Sequence, residues 1–421
     1  MSSARINRHW LIFSYASNTG SASANHIDDR LPVFVRCGIT PLLISGMLGE
    51  RMPCYQHYRV PSFGPSGWRT ELRWFFRRNK SARSWPWRLA KILATIILLP
   101  FYLLEKLIVD LDNGWTWFPL AFIRGWQLSR RYAVEQIYTT GGSVSAHLAG
   151  GVLAAATGIP WVAEFQDPLV HEEWLRSFRS LFYHRIIERW ICRQANRIVF
   201  LTEAALVAAQ RRVRMEDRGV FIYPGVPVAK DVINIQPDLG VLRFAHFGSL
   251  GKSRNLDVFL NAICLLISHR PELRDLYRLD IYGNLARDCR ASLDAFPWPE
   301  KMTYHGVVTR DAAREAMLAT QVLLLIQNVH PVSRYTIPSK FYEYLNVGRT
   351  ILGLTFENKE LDAMIIKTGH YCAPADDPQQ IQLVLEKLFD QWLCHPESLQ
   401  KQSAVLWPVE VSVARLINLL P

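Results

Sequence analysis

Two short stretches of this 421-residue chain carry residue types suited to gripping a nucleoside diphosphate. The first, TIPSKFYEYLNVGRTILGL over 336–354, predicts a helix that starts at Pro338, where a missing N–H costs nothing, and stops at Gly348. The cap position then falls on Ile337, whose side chain accepts no hydrogen bond. The amides near Ser339 and Lys340 are therefore left to water or to an anion. Ser339 and Glu343 share one helix face about 6 Å apart along the axis, while Phe341, Tyr344 and Leu345 share the inward face. A carboxylate at Glu343 can accept from two adjacent hydroxyls such as those of a ribose, and an anion at the first turn would complete a nucleotide. The second stretch, FGSLGKSRNLDVFLNAI, sets Gly248 and Ser249 at a tight strand exit and puts Lys252 and Arg254 just before an amphipathic helix. It lacks both the P-loop and the G-x-G-x-x-G patterns. Each stretch keeps a plain alternative: a solvated glutamate on a surface helix, and a solvated basic loop.

These residues need rigid elements to hold them. The chain alternates short apolar runs with helical patterns, the mark of parallel α/β units. WLIFSYA, TPLLISG, VEQIYTT, PWVAEFQ and NRIVFLT read as strands in the first half; LRFAHFG, YRLDIYG, MTYHGVV, QVLLLIQ and TILGLTF repeat the pattern in the second. FIYPGVPVAKDVINIQPD has the prolines and irregularity of a linker. The expected architecture is two Rossmann-like, doubly wound domains, 1–223 and 224–402, facing a central cleft along the carboxyl ends of their strands. A last helix within 403–421 is expected to pack back on the first domain. Loops at strand exits in the first domain bring Asn18 and Gly20, and Gly141 and Gly142, to the acceptor side of that cleft.

A net charge of +11 favours an anionic partner, and 49% hydrophobic residues with 20% charged ones exclude a disordered chain. Seven cysteines without a C-x-x-C indicate neither a zinc site nor a disulfide framework, which points to a reducing, cytoplasmic compartment. One stretch departs from this composition. From Trp68 to Ile108 arginines, lysines and aromatics lead into the uncharged run Ile92 to Leu104, thirteen residues where a membrane span needs about 20. Cations for lipid phosphates, tryptophans for the interface and a short apolar helix suit peripheral attachment to an anionic membrane surface. The alternative is a core helix beside a solvated basic face.

In order and approximate spacing, FGSLGKSRN, IYGN, YHGVV and IPSKFYEYLNVGRTIL resemble the donor-binding domain of GT-B glycosyltransferases of the family-four type. IYTTGGSVSAHLAG and GIPWVAEFQDPL resemble the acceptor domain of the same family, and together the likeness covers most of the chain. The resemblance implies retaining, metal-independent transfer of a hexosyl group from a nucleotide-sugar, with no cofactor and no nucleic acid partner. It assigns the donor to Gly248, Ser249, Lys252, Arg254, Gly283, Ile337, Pro338, Ser339, Lys340 and Glu343. Glu343 matches the ribose-holding second glutamate of the family's Glu-x7-Glu motif, whereas Tyr335 stands where the first belongs. Asp167 matches the acidic residue of a segment that often reads D-F-R-D-P-W, with Glu164, Gln166 and Leu169 departing from it. As the catalytic residue, Asp167 would take the acceptor's proton or steady charge on the departing sugar; otherwise it only opens the turn before Pro168. Asp110 and Asp112 form a D-x-D away from any strand end and read as surface or interface residues. The expected enzyme works on the inner face of the membrane on a lipid-linked or surface-polysaccharide precursor. A GT-B nucleotide-sugar epimerase and a catalytically silent sugar-nucleotide-binding scaffold are the alternatives.

Overall fold

The computed structural model describes residues 8–19, 22–78, 85–171, 177–227, 235–251, 253–401 and 407–419. The chain divides into two compact units, Met1–Pro224 with Val409–Pro421, and Gly225–Pro408. In the first, strands β1 (Arg8–Phe13), β2 (Ile39–Ser45), β3 (Gln56–Arg59), β4 (Val134–Gly141), β5 (Trp161–Phe165), β6 (Arg197–Phe200) and β7 (Gly219–Phe221) form a seven-stranded sheet in the order β3-β2-β1-β4-β5-β6-β7. In the second, β8 (Leu242–Phe247), β9 (Tyr277–Tyr282), β10 (Met302–Gly306), β11 (Val322–Ile326), β12 (Thr350–Thr355) and β13 (Tyr371–Pro374) form a six-stranded sheet in the order β10-β9-β8-β11-β12-β13. All pairings are parallel. Each order reverses once, between β1 and β4 and between β8 and β11, and ligands of such sheets bind beyond the carboxyl ends beside that reversal.

Central strands of a parallel sheet are covered on both faces and so read as unbroken apolar runs. β11 (VLLLI) and β12 (TILGLT) are buried at every residue. The sequence reading passes over β3, β7 and β13, which all lie at sheet edges and carry mixed, part-exposed residues with no such run. Helices in chain order are α1 (Ala22–Asp28), α2 (Leu31–Arg36), α3 (Pro65–Arg78), α4 (Trp85–Ile108), α5 (Phe118–Arg131), α6 (Val144–Thr157), α7 (Phe178–Gln194), α8 (Glu203–Gln210), α9 (Asp257–His269), α10 (Arg287–Asp294), α11 (Arg310–Leu318), α12 (Ser339–Val347), α13 (Lys359–Lys367), α14 (Pro378–Cys394) and α15 (Val409–Ile417). The core of the second unit joins Phe244, Leu324 and Leu352 to Phe259 of α9 and Phe389 of α14. That of the first unit joins Trp10, Tyr138 and Val162 to Phe34 of α2 and to Val413 and Leu416 of α15, so the last helix completes the first unit.

The apolar helix expected over Ile92–Leu104 is longer than its uncharged run. α4 spans 24 residues and continues through Pro100, packed against α3 as a hairpin. None of its residues is buried, which overturns the core-helix alternative. Ile96, Ile97, Leu103 and Leu107 are each more than half exposed. Among the described residues, no helix is long and apolar enough to cross a membrane.

Candidate functional site

In the second unit, the loops after β8 and β9 cross at van der Waals limits. A Cβ on Gly283, whose φ is +124°, would lie 2.1 Å from the Gly248 carbonyl oxygen, so only glycine lets the two loops meet. Gly248 N–H donates to the Tyr282 carbonyl (2.9 Å) and Leu250 N–H to that of Asn284 (2.8 Å). Ser249 Oγ lies 3.5 Å from Asn284 Nδ2. The β8 loop then turns on itself: Gly251 N–H donates to the Arg254 carbonyl (2.7 Å) and Arg254 N–H returns to that of Gly251 (3.0 Å). This turn presents Arg254, whose Nε is buried with no hydrogen-bond partner. Burial pulls its guanidinium below the usual arginine range, as expected of a cation without an anion. Lys252 lies outside the described residues.

α12 begins one residue later than its sequence suggests. Pro338 is its cap (φ −58°, ψ 132°) and Ser339 its first helical residue, because the extended ψ at Pro338 precludes a helical turn there; Ile337 falls outside. No side chain caps the first turn, so its amides stay open near Ser339 and Lys340. The helix start is held by groups the sequence reading does not single out. Gln327 Nε2 donates to the carbonyls of Ser333 (3.2 Å) and Thr336 (2.9 Å), and Asn358 Nδ2 donates to the same two (2.6 and 2.9 Å). Tyr344 OH accepts from Phe247 N–H at 3.2 Å and donates to the Leu324 carbonyl at 3.4 Å, pinning α12 to the ends of β8 and β11. Phe341, Tyr344 and Leu345 are buried, as their spacing requires. On the open face Glu343 pairs with Lys340 at 2.5 Å.

His246, the next-to-last residue of β8, is a further residue the sequence reading misses. Its Nδ1 faces the Leu324 carbonyl at 3.1 Å and its Nε2 is buried without a partner, near where a Cβ on Gly248 would sit (3.4 Å). Burial, with added repulsion from Arg254 and Lys340, pulls its pKa down to about 4. Arg254 of the β8 loop and Lys340 of the first turn of α12 thus both come close to His246, a convergence no local pattern reveals.

In the first unit, Asp167 follows β5 and the Gly141–Gly142 turn follows β4. A Cβ on Gly142 would lie 3.2 Å from Asp167 Oδ2, which places the carboxylate directly against that turn. Asp167 keeps an exposed surface, yet the protein around it desolvates the carboxyl and raises its pKa above the ordinary aspartate value. Both D-x-D aspartates are part-exposed and serve neighbouring loops. Asp112 accepts from Val144 N–H (3.1 Å) and Ser143 Oγ (3.1 Å), closing the start of α6 just after Gly142, and Asp110 accepts from Ser177 Oγ. Asn18 spends its side-chain amide on the Glu50 carbonyl (3.1 Å), and its neighbour Gly20 lies outside the described residues. Beneath Asp167, Glu164 is fully buried. It pairs with Arg30, which also donates to Tyr138 OH (2.6 Å) and Ser412 Oγ (3.0 Å), while Thr140 donates to Glu164 at 2.8 Å. Among the described residues, no group of three or more His, Cys, Asp or Glu side chains is placed to hold a metal ion.

No family model and no curated protein sequence matches the chain. Solved structures do. HepE from Anabaena, in complex with UDP and glucose, matches with a TM-score of 0.66 at 10% identity over 98% of this chain and 100% of its own. Sucrose-phosphate synthase from Thermosynechococcus elongatus gives 0.65 at 9% identity over 98% of both chains. A putative UDP-N-acetylglucosamine 2-epimerase from Listeria monocytogenes gives 0.55 at 9% identity over 98% of this chain and 95% of its own. At such identities the likeness establishes the fold, and the fold is that of GT-B glycosyltransferases.

Proposed function

We propose that the chain is a retaining glycosyltransferase that binds a nucleoside diphosphate sugar on its second unit and a lipid-linked or surface-polysaccharide precursor on its first, at a membrane surface. The observation that carries this reading is Arg254, part-buried with its Nε buried and without a hydrogen-bond partner, near the uncapped first turn of α12, with Glu343 one turn further on. Arg254 and the α12 amides are fixed positive partners for a diphosphate that gains charge as the sugar bond breaks. Ribose hydroxyls on Glu343 would release Lys340 toward the phosphates. HepE structures hold UDP and UDP-glucose, which supports a uridine donor for a chain of this fold. Retention rests on the sequence resemblance alone. Epimerisation of a UDP-sugar is the second reading, favoured by the shared fold; sugar released as an epimer without any acceptor would decide for it.

Calorimetry with UDP tests the donor site. Arg254→Ala and Glu343→Ala should each weaken binding by about 1.5–3 kcal/mol, the scale of charge-assisted hydrogen bonds. Unchanged affinity in both variants would remove the nucleotide from α12.

The membrane reading rests on α4, whose exposed face combines isoleucine, leucine and phenylalanine. Ile96→Glu with Leu103→Glu should abolish flotation with anionic vesicles, since each inserted side chain contributes roughly 2 kcal/mol. The fold should be undisturbed because both positions are exposed. Flotation equal to that of the parent would show that α4 does not insert.

A further inference from the structure

The α3–α4 hairpin has a second face besides the apolar one. Arg69, Leu72, Arg73 and Phe76 follow one another at helical spacing on α3, as do Lys91 and Leu98 on α4, and together they line a groove of about 290 Å³. Leu72, Phe76, Ala94 and Leu98 supply its apolar lining and three cations stand along it. Arg69 lies over the Tyr102 ring at 4.5 Å, and none of the three cations has an acidic partner among the described residues.

The hairpin itself cannot neutralise them. Between Pro65 and Ile108 the chain has only two acids, Glu71 and Glu105. Glu71 accepts from Ser62 N–H and Oγ, both at 2.8 Å. Glu105 accepts from Ser66 N–H (2.9 Å) and Trp115 Nε1 (2.7 Å). Both are thus spent tying the hairpin's base to the first unit, where Arg179 and Tyr183 of α7 also bond the last carbonyls of α4 (2.6 and 2.9 Å). The groove is left with uncompensated positive charge beside apolar side chains, on a helix pair whose α4 buries no residue and exposes a run of Ile, Leu and Phe.

From this charge complementarity we infer that the groove is a binding site for the phosphate headgroup of a single anionic lipid, with the hydrocarbon chains lying along the exposed face of α4. The inference rests on the membrane reading above and adds a headgroup-selective site to it. A phosphate monoester presents three acceptor oxygens, enough for two guanidinium groups to bond it at once, whereas a carboxylate presents only two. Arg69, Arg73 and Lys91 would hold the phosphate while Leu72, Phe76 and Leu98 contact the glycerol or first methylenes of the chain.

Phosphatidylcholine vesicles doped with phosphatidic acid, compared with vesicles doped with oleate to the same surface potential, separate headgroup recognition from general attraction. The full chain should bind the phosphatidic acid vesicles about tenfold more tightly. Arg69→Gln/Arg73→Gln/Lys91→Gln should erase that preference and weaken binding by roughly a hundredfold, about fivefold per cation. Arg211→Gln/Arg214→Gln/Lys367→Gln, an equal charge loss at exposed sites elsewhere, should keep the preference. A thermal melt and circular dichroism spectrum matching those of the parent serve as the check that each variant is folded. Equal binding to both vesicle types, or a preference that survives the triple groove variant, overturns the headgroup site while leaving membrane docking intact. Failure of the parent to bind any anionic vesicle overturns docking and the site together. Concentration-dependent self-association abolished by Ile96→Glu would make a second copy the occupant of this hairpin and also overturn the inference.

Discussion

Asp167→Asn should leave UDP affinity unchanged and slow sugar transfer by roughly 10²–10⁴-fold, the range for a positioned general base or a charge felt mainly in the transition state. The substitution keeps the shape of the side chain against Gly142, so the Gly141–Gly142 turn has no steric reason to move. It removes only the charge. Desolvation raises the carboxyl above the ordinary aspartate value, which brings its basicity closer to that needed to accept a hydroxyl proton. The sign of the pH dependence follows. Activity should fall as the pH drops through this raised pKa, so the acid limb of kcat/KM should lie above the ordinary value of about 3.9 in the parent and be absent in the variant. Radiolabelled nucleotide-sugar with a membrane extract supplies the assay. Equal turnover in parent and variant would reduce Asp167 to the residue that opens the turn before Pro168.

The second large effect concerns stability. Arg30→Met should destabilise the first unit by about 3–5 kcal/mol in denaturant unfolding, because it leaves the Glu164 carboxylate fully buried and without its counter-charge. Arg30→Met/Glu164→Gln should recover much of that loss, since a neutral amide can still bond Thr140. Burial alone would raise the Glu164 pKa, but the Arg30 charge and the hydrogen bonds from Arg30 and Thr140 outweigh it and hold the carboxyl below the usual glutamate range. A depressed carboxylate contributes stability that is complete above its unfolded pKa of about 4.3 and is lost as the pH falls toward the folded value. The parent should therefore lose stability below about pH 4.3 more steeply than the double variant. Arg30 also holds Ser412 on α15, so the single variant should expose the chain end to protease. A single variant as stable as the parent would show that Glu164 is neutral in the folded chain.

Glu164 also explains one departure from the sequence pattern around Asp167. Where the related segment carries aspartate, glutamate is one methylene longer and meets an arginine 134 residues away. Gln166, another departure, donates to Thr140 in the same network at 3.0 Å. Both replacements therefore belong to the support beneath the loop.

What the sequence determined by itself is local and periodic. Central strands appear as apolar runs because a doubly covered sheet buries both faces, and the inward face of α12 appears as Phe341, Tyr344 and Leu345 because helical spacing aligns them. The uncapped helix start and the glycines at strand exits are likewise legible from residue type. Tertiary structure alone decided the edge strands β3, β7 and β13, whose short part-exposed segments carry no period. It alone placed His246 beside Arg254 and Lys340, joined Arg30 to Glu164, and turned Asp112 into the closure of the Gly142 turn. Lys340 is 94 residues from His246, Arg30 is 134 from Glu164 and Asp112 is 32 from Val144, and these approaches are set by which strand ends the sheet order makes adjacent. Neither spacing nor composition along the chain carries that information.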